Sequence, residues 1–285
     1  AFFANTDEAV IKNLTLDGQI GKASYYTAGF VASGSGTILN CTNKITIEFD
    51  SYYGNSVENI GGIAAFFSGV IESCLNYAPI TTNRGTNIGG IVGQITAGST
   101  VSKCINYAAL RQTYQFNSML GGIVGRIYVI SADELRESTI SECANKGNLE
   151  SESTPGGAAG ILYRGDGNAA NTSFLTISNC YNVGAVTASG EYTSEANIPY
   201  ASGILATGGE DTEHKTIFEN CYNAGTVTNS GTNINCGEIL PVHVMRNYGF
   251  GVHVEGDIDT GNIEFNNCFV RADSFTATDL GDFYM

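Results

Sequence analysis

Three sets of residues in this 285-residue chain could do chemistry: cysteines, clustered carboxylates and a pair of histidines. Seven of the 8 cysteines recur down the chain as Cys41, Cys74, Cys104, Cys143, Cys180, Cys221 and Cys268. Thiols at that density could ligate a metal or close disulfides. Zinc takes ligand pairs two to four residues apart, with further ligands of similar type, and no cysteine here has so near a partner. Cysteines stacked one strand spacing apart fall within the Cα reach of a disulfide, but side chains standing side by side on parallel strands suit its torsion poorly. The reading preferred over a row of disulfides is a small apolar residue filling a tight corner of a core. No metal and no cofactor is expected.

The carboxylates raise a different chemistry. A glycoside hydrolase needs two carboxyl groups about 5–10 Å apart, and a polysaccharide lyase needs a base, often with Ca²⁺. Glu210, Asp211 and Glu213 form one group, and Glu255, Asp257 and Asp259 form another. Both sit in loops, whereas a catalytic groove would repeat its acids on one face of neighbouring strands, so they are taken as solvated loops and speculative binding residues. Asp166 with Asn168 has too few acids for a filled Ca²⁺ site. Asn5-Thr6-Asp7 is similar to a pectinase signature, without the partner residues that would complete it. His243 and His253 with Arg246 between them could form a metal or acid–base pair, yet they lie where the repeat breaks down and read first as a loop or cap. No Ser-His-Asp order, phosphate loop or dinucleotide fingerprint is present. No catalytic residue is assigned.

The elements that must position these residues follow from an internal repeat. Around successive cysteines the chain reads GTILNCTNKITI, GVIESCLNYAPI, STVSKCINYAAL, STISECANKGNL, LTISNCYNVGAV and TIFENCYNAGTV, with a degraded NIEFNNCFVRAD last. Upstream of each stands AGFVA, GGIAA, GGIVG, GGIVG, AAGIL or ASGIL. Three residues before cysteine the occupants are Ile38, Ile71, Val101, Ile140, Ile177, Phe218 and Phe265; six after it come Ile47, Ile80, Leu110, Leu149, Val186 and Val227. Strict strand alternation puts inward residues two apart. Here two outward residues separate inward Ile from inward Cys, so the chain must bend between them. Two residues past cysteine stands Asn43, Asn76, Asn106, Asn145, Asn182 or Asn223, and asparagine adopts the left-handed conformation readily, which predicts a second bend there.

A unit of short strands and corners cannot bury its apolar side alone; stacked units can. The pattern predicts an all-β, right-handed parallel β-helix of about eight coils with loop insertions, roughly 35–40 Å long at ~4.8 Å per rung. Residues 1–285 read as a single domain. Its first coil has strands in AFFA and AVIKNLTLDG, and insertions fall at 128–138, 164–174, 188–200 and 206–215; ADELRES is expected to make one helical turn. The first coil has no polar cap ahead of Ala1, which predicts a fragment of a longer protein or a neighbour covering the end. Tyr25-Tyr26 and Tyr52-Tyr53 are placed in inter-coil loops, and Cys236 in the strand equivalent to GGIVG. Tyr181 and Tyr222, one after cysteine in adjacent coils, are expected to stack outward.

Composition narrows the partners. Gly is 36 and Pro only 4, which suits frequent turns in ladders that need their N–H groups. The net charge, 13 − 28 = −15, argues against nucleic acid. No apolar run approaches the ~18 residues of a membrane span, so no direct membrane insertion is expected.

With ISNCYNVGAV, ENCYNAGTV and GGIVG in view, the chain resembles the GLUG-repeat proteins, whose repeats read roughly G-G-[LI]-V-G followed by I-x-N-C-Y-N-x-G-x-V. The resemblance covers nearly the whole chain. It implies a secreted or cell-surface bacterial protein with the β-helix as an adhesive, ligand-binding or spacer module. GLUG repeats also accompany immunoglobulin-A-cleaving zinc proteases, but their H-E-x-x-H is absent here, so no protease activity carries over. The expectation is a non-catalytic extracellular module, monomeric, whose partner is a host or matrix glycan or protein. The alternatives are a polysaccharide lyase or glycoside hydrolase on the same scaffold, or a viral receptor-binding spike.

Overall fold

The structure, a computed structural model, describes residues 1–22, 24–50, 57–113, 118–128, 136–153, 156–165, 173–189, 199–208, 215–229, 235–237, 263–270 and 275–276. It is all-β: the described residues form three parallel sheets of 12, 7 and 14 strands, with no helix among them. Among the described residues, no helix is therefore long and apolar enough to cross a membrane.

One pass through the repeat visits the three sheets in a fixed order. Asn87–Gly89 lies in the 7-stranded sheet, Val92–Thr96 and Thr100–Ser102 in the 12-stranded sheet, and Ile105–Asn106 and Leu110–Gln112 in the 14-stranded sheet. The next pass, from Ser118–Gly121 to Leu149–Ser151, pairs with it strand for strand in parallel register: Asn87 with Met119, Val92 with Val124, Val101 with Ile140, Asn106 with Asn145 and Leu110 with Leu149. Early passes run through the 12-stranded sheet as single long strands, Val31–Leu39 and Ala64–Glu72. Phe3–Lys12 is likewise one strand, merging the two segments expected in the first pass. Tyr26 lies in the strand Tyr26–Ala28 and not in a loop. Arg136–Ser141 is strand, which removes the second half of the helical turn expected in ADELRES; residues 129–135 lie outside the described residues.

Inside the sheets the columns read from the sequence become layers. Ile38, Ile71, Val101, Ile140, Ile177 and Phe218 are buried with the cysteines in one apolar cluster, to which Ile63, Ile91, Ile123, Ile161 and Ile204 add the residue after the Gly pair. Ile47, Ile80, Leu110, Leu149, Val186 and Val227 form a second cluster against the 7-stranded sheet.

The first corner falls where expected, between the inward residue and cysteine. The left-handed residue is the one immediately before cysteine: Asn40, Ser73, Lys103, Glu142, Asn179, Asn220 and Asn267 all have φ between 50° and 55°. Asparagine suits that conformation, but a longer L side chain adopts it at a cost of about 1–2 kcal/mol. Glu142→Asn is therefore expected to stabilise the fold by about 0.5–1 kcal/mol in urea unfolding, whereas Glu142→Ala should change it by less than about 0.5.

The asparagines after cysteine are not left-handed; they sit in strands with their side chains fully inside. Their amides form a ladder along the stack, each Nδ2 donating to the next Oδ1: Asn43 to Asn76 at 2.8 Å, Asn76 to Asn106 at 2.9 Å, Asn106 to Asn145 at 2.9 Å, Asn145 to Asn182 at 2.7 Å and Asn182 to Asn223 at 2.7 Å. The second amide proton donates to the carbonyl two residues on, as from Asn145 to Gly147 at 2.8 Å. The Oδ1 of Asn106 also accepts the Ala108 N–H at 3.3 Å. The expected local backbone bonding is thus present, and the chain bends two residues past the asparagine, as at Ala78, Ala108 and Gly147, without a left-handed asparagine. At the two ends of the register stand apolar residues, Leu16 opposite Asn43 and Val270 opposite Asn223.

The glycine pair of GGIVG explains the room for that ladder. A Cβ on Gly62, Gly90, Gly122 or Gly160 would fall 1.9–2.2 Å from the carbonyl oxygen of the equivalent glycine in the next pass and 2.5–2.7 Å from the Cγ of the ladder asparagine in its own pass. The interior is so thin at this edge that backbone packs directly on amide.

Candidate functional site

The cysteine column is the first candidate, because thiols are the most reactive groups in the chain. Cys41, Cys74, Cys104, Cys143, Cys180 and Cys221 are fully buried, Cys268 is half-buried, and all seven are free thiols. The side chain of Cys236 lies outside the described residues; its backbone falls in Asn235–Gly237, paired with the Gly-pair strand of the preceding pass. Each thiol donates back across its corner to the carbonyl two residues earlier, Cys104 to Ser102 at 3.1 Å and Cys143 to Ser141 at 3.2 Å. Each also lies near the carbonyl of the inward residue one pass below, as Cys221 to Ile177 at 3.3 Å. A cysteine here both fills the corner and offers a donor to the carbonyl that the left-handed residue turns inward.

This environment suppresses thiolate chemistry. Burial pushes the Cys104, Cys143 and Cys180 thiols well up, and the hydrogen bond with Cys104 together with burial holds Cys74 at about 12. Its bond with Cys74 raises Cys41, while the bond with Cys180 lowers Cys221. For the raised thiols the stabilisation is complete below the unfolded-state value, about 8.5, and is lost as pH rises above it, because the unfolded chain ionises first. Each such thiol contributes up to about 1.4 kcal/mol per pH unit there. Urea unfolding between pH 8 and 9.5 should therefore show stability falling, and Cys143→Ala should reduce the slope by close to one proton; an unchanged slope would mean the thiol ionises equally in both states.

The predicted carboxylate residues Glu210, Asp211, Glu213, Glu255, Asp257 and Asp259 lie outside the described residues, as do His243, His253 and Tyr52-Tyr53. Among the described residues, no group of three or more His, Cys, Asp or Glu side chains could hold a metal ion.

What the fold does assemble is an exposed stripe on the outer face of the 14-stranded sheet. The positions one and three after cysteine flank the buried asparagine and are half-buried or exposed, except for Ala144, which is buried. Tyr181 and Tyr222 stack with ring centroids 5.1 Å apart and planes 3° off parallel. Tyr77 and Tyr107, three after cysteine, stack at 4.7 Å and 5°. The pass between the pairs carries Ala144 and Lys146 in those two places. The Lys146 ammonium sits 5.1 Å from the Tyr107 ring centre and 5.8 Å from that of Tyr181, and its hydrogen bond with Tyr181 raises its pKa. Leu75 and Ile105 are half-buried beside the tyrosines, Val183 is exposed, and Phe269 at the far end is 68% exposed. The strand spacing of the ladder sets the ring spacing, so aromatic residues in consecutive passes stack without further design.

Charge is distributed unevenly around this stripe. In a chain of net charge −15, the twelve residues one and three places after cysteine, from Thr42 and Lys44 to Tyr222 and Ala224, include Lys44 and Lys146 but no Asp or Glu. Tyr181 and Tyr222 were legible from their shared place after cysteine. Tyr77, Tyr107 and Lys146 were not singled out; the signal available was the alternation of Tyr, Tyr and Lys three places after Cys74, Cys104 and Cys143.

No family profile and no curated protein matches this chain. It is similar to the crystal structure of a candidate immunoglobulin A1 protease from Bacteroides ovatus, with 18% identity, 88% of this chain and 75% of that chain covered, and a TM-score of 0.46.

Proposed function

We propose that the chain is a right-handed parallel β-helix of about eight coils, a GLUG-type repeat module of a secreted or cell-surface bacterial protein, binding a ligand without transforming it. The observation that carries the binding role is the acid-free aromatic stripe running across successive passes of a strongly acidic chain. Exposed apolar surface that is continuous and organised marks an interaction site more often than scattered exposed residues do. The buried columns support the non-catalytic side of the reading: the asparagines and cysteines that dominate the repeat spend their polar groups on one another and on nearby carbonyls. Right-handed winding follows from the crossover preference of parallel strands.

The test is a screen of the purified chain against neutral and acidic glycans and host matrix proteins, scored for both binding and turnover. Binding without product is the expected result. Release of sugar products or unsaturated uronates would overturn the reading in favour of a polysaccharide-active enzyme, and absence of any binding would leave only the spacer role.

A further inference from the structure

Resting on that binding role, we propose that the Tyr77–Tyr107–Lys146–Tyr181–Tyr222 stripe takes an acidic polysaccharide, a linear carboxylate-bearing glycan laid along the stack with a carboxylate on the Lys146 ammonium. Three features of the stripe select this occupant.

The first is its shape. Outward residues two apart on a strand are about 7 Å apart, and the four rung steps from Tyr77 to Tyr222 span about 19 Å. A strip of those dimensions offers on the order of 130 Å², far below the roughly 800 Å² that each partner of a stable protein complex buries. It suits a narrow polymer better than a globular face. An extended peptide could gain affinity by adding a strand, but Ile105–Asn106, Ala144–Asn145 and Tyr181–Asn182 already have parallel neighbours on both sides, so no main-chain edge is open there.

The second is charge. Lys146 is the one cation set between aromatic rings on the stripe, Lys44 heads the same column, and no carboxylate shares either outward column from Thr42 to Ala224. The salt bridges of Arg111 with Glu150 and Glu152 lie farther along the strand path, six or more places after cysteine. An anionic chain would meet a cation without a neighbouring acid on the stripe, whereas Lys103 and Arg111 are already paired with Glu72, Glu150 and Glu152.

The third is ring orientation. Within each pair the tyrosines face one another, with planes 3–5° from parallel. They turn edges and not faces to solvent. Flat stacking of neutral sugar rings is thereby restricted, while ring edges remain available to a polymer rich in hydroxyl and carboxylate oxygens. The rung between Tyr107 and Tyr181 has no ring of its own, and there the ammonium stands.

The experiment is titration calorimetry of the full chain with polygalacturonate, hyaluronate, dextran and polyglutamate, at low and at physiological ionic strength. Lys146→Glu, Lys146→Ala and Tyr107→Ala are compared with Lys103→Ala, which removes a cation from the neighbouring corner column. Thermal melting of each variant reports folding separately. The expected result is binding of a uronate polymer but not dextran, weakened by salt, reduced roughly tenfold or more by Lys146→Glu and less than about twofold by Lys103→Ala. Equal binding of dextran, equal or tighter binding of polyglutamate, a Lys146→Glu variant that melts normally and binds as before, or no uronate binding would overturn the proposal. Capture of a neutral glycan or host protein independently of the stripe would overturn it while leaving the surface-module role intact; turnover of the polymer would overturn both.

Discussion

Asn145→Asp is expected to abolish folding at neutral pH, or to cost at least about 4–5 kcal/mol if the chain still folds. Asn145 is fully buried at the centre of the amide ladder. Its Nδ2 donates to Asn182 Oδ1 at 2.7 Å and to the Gly147 carbonyl at 2.8 Å, while its Oδ1 accepts from Asn106 at 2.9 Å. A carboxylate has nearly the same shape but only accepts hydrogen bonds. It would turn two buried donations into oxygen–oxygen contacts and place an uncompensated charge in the core, each among the costliest single changes a fold can suffer. The pH dependence follows. Burial raises the folded-state pKa of the introduced acid far above the unfolded value of about 3.9. The missing stability should be smallest below pH 4 and grow as pH rises through the neutral range. Asn145→Ala separates the two effects, since it removes the bonds without adding charge; about 3–4 kcal/mol with no comparable pH dependence is expected. Urea unfolding from pH 3.5 to 7.5 decides the matter. A pH-independent loss equal in the two variants would show that Asn145 is solvated and that the ladder is not what holds the corner.

The ladder also shows where the sequence was readable and where it was not. Columns such as Ile71–Val101–Ile140 and Ile80–Leu110–Leu149 were legible because apolar residues at a fixed offset have one dominant use, burial. Asparagine has several. Its ease in the left-handed region made Asn76 and Asn106 look left-handed, whereas the left-handed residues are Ser73 and Lys103, inside the bend expected before cysteine, and their side chains share no chemistry with each other. The spacing of Val101 and Cys104 marks a bend there, but nothing in its residue type marks Lys103 as the left-handed member. Hydrogen bonding to the passes above and below imposes that conformation, so the signal lies in the register and not in the residue. The clue that would have turned the asparagines inward lay 14 to 23 residues upstream, in the second glycine of the GGIVG-type string: a column that tolerates no Cβ must face something that needs the space. The same limit applies to the stripe. Tyr181 and Tyr222 share one offset from cysteine, but Tyr77 and Tyr107 use another, and only the outward projection of both offsets joins them through Lys146.

Gly122→Ala tests that pairing of columns from the other side. An alanine Cβ at Gly122 would lie 2.0 Å from the Gly160 carbonyl oxygen and 2.6 Å from Asn145 Cγ, neither of them the free end of a flexible side chain. Ile123 and Val124 follow directly and are wholly buried, so the backbone cannot swing outward without lifting both from the core. Relief therefore requires separating two passes, at the expense of the Gly122 N–H bond to Ala159 at 2.9 Å and the Ile123 N–H bond to Ile161 at 3.0 Å. The methyl group should cost about 3 kcal/mol or more, at the upper end of what overpacking does in a close-packed interior. Gly21 provides the matched control: its Cβ would meet nothing within 4 Å, and Gly21→Ala should be neutral or stabilising by a few tenths of a kcal/mol, through the loss of unfolded-state entropy alone. Because the two passes share the asparagine chain, the effect of Gly122→Ala should not be additive with that of Asn145→Ala. Once the amide is gone the ladder no longer resists separation there, and the double variant should be less destabilised than the sum of the two by about 1 kcal/mol or more. Strict additivity in a double-mutant cycle would mean that glycine and asparagine are kept for separate reasons and that the amide does not pack on the glycine backbone.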